Sequence, residues 1–401
     1  MTKLNFKIVL TLFAVIFFTA CEQTEELSTS TEIQSEQTAT YEYQVIPGKY
    51  IVVFNEDANG RFAPSSFAEG QEIMAATAES FLKEKASQFA LERVYSGGIQ
   101  GFVAEISDFD VESIINDPRV KSVEPDYQII MKAPPWAGGG GGSSTGEEIP
   151  FGITRVNGGI TYTGNNVAWV IDSGVDLDHE DLNVDASRAF NAFTSGRDAK
   201  SADDLNGHGS HVAGTIAAID NETGVVGVAA GATVVPVKVL DARGSGSYSG
   251  VIAGVDYVAA NGSAGDVANM SLGGPVSPAL DDAVKAAAAN GINMCLAAGN
   301  ESTDSNGSSP ARVNGNNIYT ISAMDINDQW ASFSNYANPP VDYCAPGVSI
   351  KSTWKDGGYN TISGTSMATP HVAGILLLGN ISTDGTVIGD PDGNSDPIAV
   401  H

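Results

Sequence analysis

Gly364-Thr365-Ser366-Met367-Ala368-Thr369-Pro370-His371-Val372-Ala373-Gly374 is the stretch on which the reading of the chain turns. Glycine before Ser366 permits a close backbone approach. Proline is tolerated only near the start of a helix, so a helix should open around Ser366. The apolar run Ile375–Leu378 buries that helix, and Gly379 is placed to end it. A serine at a helix N-terminus, beside free backbone N–H groups, is where an acyl-transfer nucleophile and its oxyanion hole can be built. Taken alone, the same serine reads better as the N-cap of a buried helix.

Three further stretches bear on that choice. A nucleophilic serine needs a base, and the base an orienting carboxylate. Val167–Ile171 reads as a fully buried strand running into Asp172-Ser173-Gly174. An aspartate at the end of a parallel strand lies where open α/β sheets place their sites. Asn206-Gly207-His208-Gly209-Ser210-His211 sets His208 between two glycines ahead of a small-residue helix. Gly291–Asn300 is a third buried strand, ending in an amide able to donate to an oxyanion. Each has a plain structural reading: strand-end turn, capped helix, turn asparagine. Asp, His, Asn and Ser in that order make the plain readings a poor account of all four.

These motifs resemble the subtilisin-like serine proteases (subtilases), whose Asp…His…Ser order separates them from other triad hydrolases. The resemblance covers roughly residues 150–379. It implies Asp172, His208 and Ser366 as the triad and Asn300 as the oxyanion donor. It further implies that Gly244-Ser245-Gly246 and Ser271-Leu272-Gly273 are edges that add an extended peptide as a β-strand. The small residues of Ser271–Gly273 and Ala297-Ala298-Gly299 then leave a roomy primary pocket for a large apolar side chain. Asp181 and the loop Ile219–Val225 resemble the main calcium site of subtilases. There Asp181 and Asn221 would bind through side chains, and Ile219, Thr223 and Val225 through carbonyls. Glu147 is a further candidate, and a solvated acidic loop is the alternative.

With 401 residues, 42% of them hydrophobic, the chain can bury a large core in more than one domain. Its formal net charge of −28 argues against a nucleic-acid partner, which would need a basic face. Residues 1–20 combine Lys3 and Lys7 with an apolar core from Ile8 to Phe18, the pattern of an export signal. Thr19-Ala20-Cys21 resembles a bacterial lipobox with Cys21 as the lipidated residue, although Phe18 replaces the usual aliphatic side chain. The alternative is an ordinary signal cleaved nearby. Residues 21–46, rich in Ser, Thr, Glu and Gln, read as a disordered spacer.

Residues 47–131 carry a β-α-β-β-α-β pattern, that of a small α+β ferredoxin-like domain. They resemble the inhibitory propeptide of subtilases. Residues 132–148, with Pro134, Pro135 and Gly138–Gly142, form a processing linker. In residues 149–379, near-continuous Val/Ile/Ala strands alternate with helices, which predicts an α/β domain with a doubly wound, mostly parallel sheet. Residues 380–401 are polar and acidic and read as a disordered tail, in place of the strand and helix with which the family continues. Asp390–Asp396 has calcium-loop spacing without the distal glutamate. Cys295 and Cys344 sit in apolar surroundings and read as buried free thiols. His211 and His371 read as packing residues, and nothing assigns His179 a role. The expectation is an exported, monomeric, self-maturing serine endopeptidase of extended protein substrates. Its own propeptide is its inhibitor, calcium is a structural ion, and any lipid is carried by the precursor.

Overall fold

The computed structural model describes residues 40–55, 64–132 and 146–401. The signal segment, Cys21, most of the spacer and most of the linker lie outside them. Strand β1 (Thr40–Phe54) is followed by helix α1 (Phe67–Lys85), strands β2 (Phe89–Tyr95) and β3 (Gly101–Ile106), helix α2 (Asp108–Ile115) and strand β4 (Val120–Lys132). The antiparallel sheet they build runs β4-β1-β3-β2, the ferredoxin-like order. Helix α1 is capped by Ser66, whose Oγ accepts from Glu69 N at 3.2 Å, while the Glu69 carboxylate reaches back to accept from Ser65 N at 2.7 Å. Its buried face, Met74, Ala78, Phe81 and Leu82, packs on Phe54 and Phe102 of the sheet.

The expectation of a disordered spacer over 21–46 fails at its end. Residues 40–46 belong to β1, and Tyr41 to Val45 pair antiparallel with Met131 to Tyr127 of β4. Tyr41, Tyr43 and Val45 alternate with Glu42 and Gln44, a period-two pattern masked by the polar composition around it. This arm gives β4 a partner as far as Lys132.

From Phe151 the chain lays down strand β5 (Ala168–Asp172), helix α3 (His208–Ala217), strands β6 (Thr233–Lys238) and β7 (Gly246–Ser247), and helix α4 (Tyr248–Asn261). Strand β8 (Val267–Met270), helix α5 (Pro278–Ala289), strands β9 (Asn293–Ala297), β10 (Ile318–Met324) and β11 (Val341–Pro346), and helix α6 (Thr365–Leu378) follow. Strands β11-β10-β9-β8-β5-β6 lie side by side and parallel. Alternate residues of β5 serve opposite faces: Trp169 and Ile171 pack with α4 and α5, Ala168 and Val170 with α3 and α6. Ile51, Val53 and Val103 of the N-terminal sheet join the α4/α5 side, so the two domains share one core there.

The acidic tail is not disordered. Strand β12 (Ser382–Thr386) pairs antiparallel with β13 (Pro397–Val400), which lies parallel to β11 through Cys344 and Ile398. The only apolar run, Pro397–Val400, is short, but it covers Met324 and Cys344 at the sheet edge together with Val387. Asp396, which reads as a tail charge, is buried and accepts from Asn338 Nδ2 at 2.7 Å and from the Ser322 hydroxyl. Cys295 and Cys344 are free and buried, as expected. Because Ile398 is only 1% exposed, Ile398→Ala should cost about 2–4 kcal/mol. Urea unfolding of the Ser366→Ala chain measures it, and an unchanged midpoint would show that the tail contributes nothing.

Candidate active site

The sheet order reverses between β5 and β8: β6 lies on one side of β5 and the later β8 on the other. Open α/β sheets leave a crevice at such a point, outside the strand ends. Asp172 ends β5, Ser271 follows β8, and Asn300 follows β9, so three of the expected residues gather there. Gly174, at φ 103°, turns the chain away from Asp172. Helix α3 sits hard against that turn, since a Cβ on Gly209 would lie 2.0 Å from Gly174 O. Gly207, at φ 113°, has the Trp354 ring where a Cβ would be. The two glycines flanking His208 are therefore steric requirements of its placement.

His208 Nδ1 lies 2.8 and 3.0 Å from the two Asp172 oxygens. A carboxylate only accepts, so the proton sits on Nδ1 and Nε2 is left as the base. Ser173 N donates to Asp172 Oδ1 at 2.7 Å. Burial pulls the His208 pKa down, but the Asp172 charge, its hydrogen bond and the Asp204 charge outweigh it and hold the imidazole above its ordinary value.

Two residues not singled out from sequence support this pair. Asp204 is buried and accepts from Ser173 Oγ (2.9 Å), Gly207 N (2.9 Å), Ser210 N (2.9 Å) and Ser210 Oγ (2.7 Å), tying the Asp172 turn to the start of α3. Lys238, fully buried and in register with Asp172, donates to Ser173 O at 2.5 Å and Leu240 O at 3.1 Å. A lone lysine inside Val-Lys-Val-Leu was the available signal, because a buried charge requires partners.

Ser366 is the second residue of α6, after Gly364 at φ 155°. A Cβ there would make only ordinary contacts, so Gly364 is required by its backbone angle and not by crowding. Pro370 lies inside the helix and removes the N–H that would have bonded Ser366 O. Ser271 Oγ supplies the missing donor at 2.8 Å. The Ser366 hydroxyl donates to Ser271 O at 3.2 Å rather than to His208, an off-duty geometry common before substrate engages. Asn300 Oδ1 accepts from Thr365 N and Thr365 Oγ1, both at 2.9 Å. A backbone N–H only donates, so the amide oxygen is fixed there and the nitrogen turns the other way.

A cavity of about 230 Å³ opens beside Ser366 and Asn300, walled by Leu272, Gly273, Ala297, Ala298 and Gly299. Five of the expected substrate residues therefore line one cavity, whereas Ser271 is buried and bonded to Ser366 O. On the other edge, Gly246 and Ser247 pair antiparallel with Ile129 and Gln128 of β4, so an extended segment already lies along the cleft. Gly244 and Ser245 shape the turn before β7, with Gly244 at φ 74° and Ser245 N bonded to Asp241. Asp126 of β4 accepts from Ser249 N at 3.0 Å and Glu124 from Ala279 N at 3.2 Å, at the starts of α4 and α5. Asp256 of α4 accepts from the N–H groups of Ser96, Gly97 and Gly98 at 2.7–2.9 Å.

His211 Nε2 meets Ile350 O and His371 Nδ1 meets Met367 O, and burial pushes both pKa values down, to about 3 and 4. Both are neutral packing residues, as read. His179 does have a place: its Nε2 meets Gly358 O at 3.0 Å and its Nδ1 accepts from Asp181 N. Around Asp181, Val225 N and Asn221 Nδ2 each donate at 3.0 Å, while Asn221 Oδ1 accepts from Thr223 N. Glu147 Oε1 accepts from Asn221 N and Glu222 N, which holds the same loop. Burial pushes Asp181 up to about 6. Among the described residues no group of three or more His, Cys, Asp or Glu has metal-binding geometry.

Fold and site together define a hydrolase fronted by an inhibitory domain. The chain belongs to the subtilase family of serine proteases: the family pattern matches residues 165–379, and the peptidase inhibitor I9 pattern matches residues 49–131. It is 40% identical to alkaline serine exoprotease A of Vibrio alginolyticus, matching 83% of this chain and 60% of that one. It is 38% identical to an extracellular serine proteinase of Thermus sp. (strain Rt41A), matching 84% and 80%. A cold adapted subtilisin-like serine proteinase of solved structure superposes with a TM-score of 0.53 at 38% identity, over 62% of this chain and 96% of that one.

Removing the Ser271 hydroxyl leaves Ser366 O without its donor. Ser271→Ala should cost about 1–3 kcal/mol of stability in the Ser366→Ala chain. Adding Pro370→Ala restores a backbone N–H and should recover part of that loss. Strict additivity of the two changes in denaturant titrations would refute the link.

Proposed function

We propose that this chain is the precursor of an exported serine endopeptidase that matures itself by cutting between its inhibitor and catalytic domains. Ser366 attacks the scissile carbonyl, and His208 takes the hydroxyl proton and returns it to the leaving amine. Asp172 holds the imidazole tautomer and steadies the charge that develops on it. Asn300 Nδ2 donates to the oxyanion. Water then releases the acyl group from Ser366. The carrying observation is the strand β4 paired along Gly246–Ser247, with Asp172 and Asn300 at nearby strand ends and His208 and Ser366 in the first turns of α3 and α6. Main-chain pairing of this kind suits broad sequence specificity, and the small-walled cavity suits a large apolar side chain at the bond to be cut. The first cut is proposed near 131–133, ahead of Pro134 and Pro135, which fit a scissile bond badly, with trimming up to about Gly146. Lipid on Cys21 would stay with the inhibitor, leaving the mature enzyme monomeric and free outside the cell.

Ser366→Ala should remain full length, whereas Asn300→Ala should process and turn over peptides with kcat lowered about 10²–10³-fold and KM little changed. That magnitude is carried over from subtilisin's own oxyanion asparagine. Cleavage of the Ser366→Ala chain in cells lacking other proteases would sink the self-maturation reading.

We further propose that calcium binds at Asp181, with the Asn221 side chain and the carbonyls of Ile219, Thr223 and Val225. The fit rests on a buried carboxylate, enclosed by this loop, whose raised pKa reflects burial of its charge. Asn221 would have to turn its oxygen from Thr223 towards the ion. Bound there, the ion would supply charge and hard-cation coordination that lock the loop. Chelator should lower the Tm of the mature enzyme and added calcium restore it, and Asp181→Ala should abolish most of that response. A Tm indifferent to both would remove the ion from the account.

A further inference from the structure

The segment Tyr41–Ile46 lies upstream of the matched inhibitor residues 49–131. Its register carries it along the free side of β4, away from Gly246–Ser247: Tyr41 opposes Met131, Tyr43 opposes Ile129, and Val45 opposes Tyr127. β4 thus lies between the β7 edge and this arm. The alternation turns Tyr41 and Tyr43 inward while Glu42 and Gln44 are exposed. Both tyrosines wall the 230 Å³ cavity beside Ser366. Tyr43 Oη donates to Gly273 O at 2.9 Å, and its ring lies where a Cβ on Gly274 would be, 2.5 Å away. The Tyr41 and Tyr43 rings stack at 6.4 Å. Tyr41 Oη is buried and turned towards Ser366, with Asp172 and Glu301 as its charged neighbours and no hydrogen bond of ordinary geometry completed.

We propose that Tyr41–Val45 is a second inhibitory strand, whose two tyrosines close the primary pocket while β4 occupies the cleft. This rests on the reading of Ser366 as nucleophile. The arm is built to block without being cut. It runs antiparallel to β4, hence opposite to a segment seated in the substrate direction, and it presents a phenol to Ser366 where a substrate presents a carbonyl carbon. It also clamps β4 from the side that Gly246–Ser247 leaves open, so a β4 end newly freed by cleavage stays bound at both edges.

The test uses the full-length chain and a fluorescent fluorophosphonate that labels reactive serines. In the unprocessed band, Tyr41→Ala/Tyr43→Ala should label about 10- to 100-fold faster than the parent, the loss expected for two buried aromatic anchors. Equal labelling rates would overturn the proposal, because β4 alone would then account for the block. The mature band should label equally in both chains. If it labels in neither, the nucleophile reading fails instead. Amide exchange in the full-length Ser366→Ala chain gives a readout independent of that substitution pair. Residues 41–45 should be protected to the same degree as 127–131, and exchange at the rate of an unstructured peptide would overturn the arm.

Discussion

The site depends first on how closely helix α3 approaches the turn that follows β5. Gly209 and Gly174 meet with no room for a side chain, and only at that separation does His208 reach both oxygens of Asp172. Polar groups hold the contact beside the apolar packing of Val175 with Val212 and Ala213. Asp204 gathers donors from both sides of it, and the Lys238 ammonium fixes the carbonyl of Ser173 from beneath. A buried network of this kind is stable only when every member is satisfied, so these residues act as one unit. The second anchor, α6, solves a related problem. A proline within the helix frees a carbonyl, and the serine after β8 fills the vacancy, which binds the helix carrying Ser366 to the strand beside β5.

The inhibitor domain is docked by the same device turned outward. Carboxylates at Glu124, Asp126 and Asp256 meet backbone N–H groups, two of them at helix N-termini where partial positive charge favours an anion. The apolar part of the interface is continuous with the catalytic core through Ile51, Val53 and Val103. A parallel sheet rich in long-range pairings nucleates slowly, and here α4 and α5 of that domain are packed against the antiparallel sheet.

Much of this was legible in the sequence because it was dictated locally. Runs such as Val167–Ile171 have no polar face, so their strand character and depth of burial follow from composition alone. The Gly-His-Gly and Gly-Thr-Ser triplets carry their own steric reasons. What the sequence does not reveal depends on partners distant along the chain. Tyr41–Val45 is a strand only because β4 continues beside it, and Pro397–Val400 is one only because β11 would otherwise be an open edge. Local polarity outweighed short alternating signals in both places. Asp204 and Lys238 are hidden for a similar reason: a charged residue reads as surface until its partners are known.

Cys295 and Cys344 lie in strands β9 and β11, unpaired and buried, and burial pushes both thiols well above their ordinary range. Thiolates are the reactive form, so neither side chain offers an oxidant or alkylating agent anything to attack while the sheet is closed. The fold of these two strands therefore does not depend on the redox state of the medium, and their assembly calls for no disulfide-forming catalyst. The same two sulfurs become natural reporters of opening: one reads the middle of the sheet, the other the strand that the C-terminal pair covers.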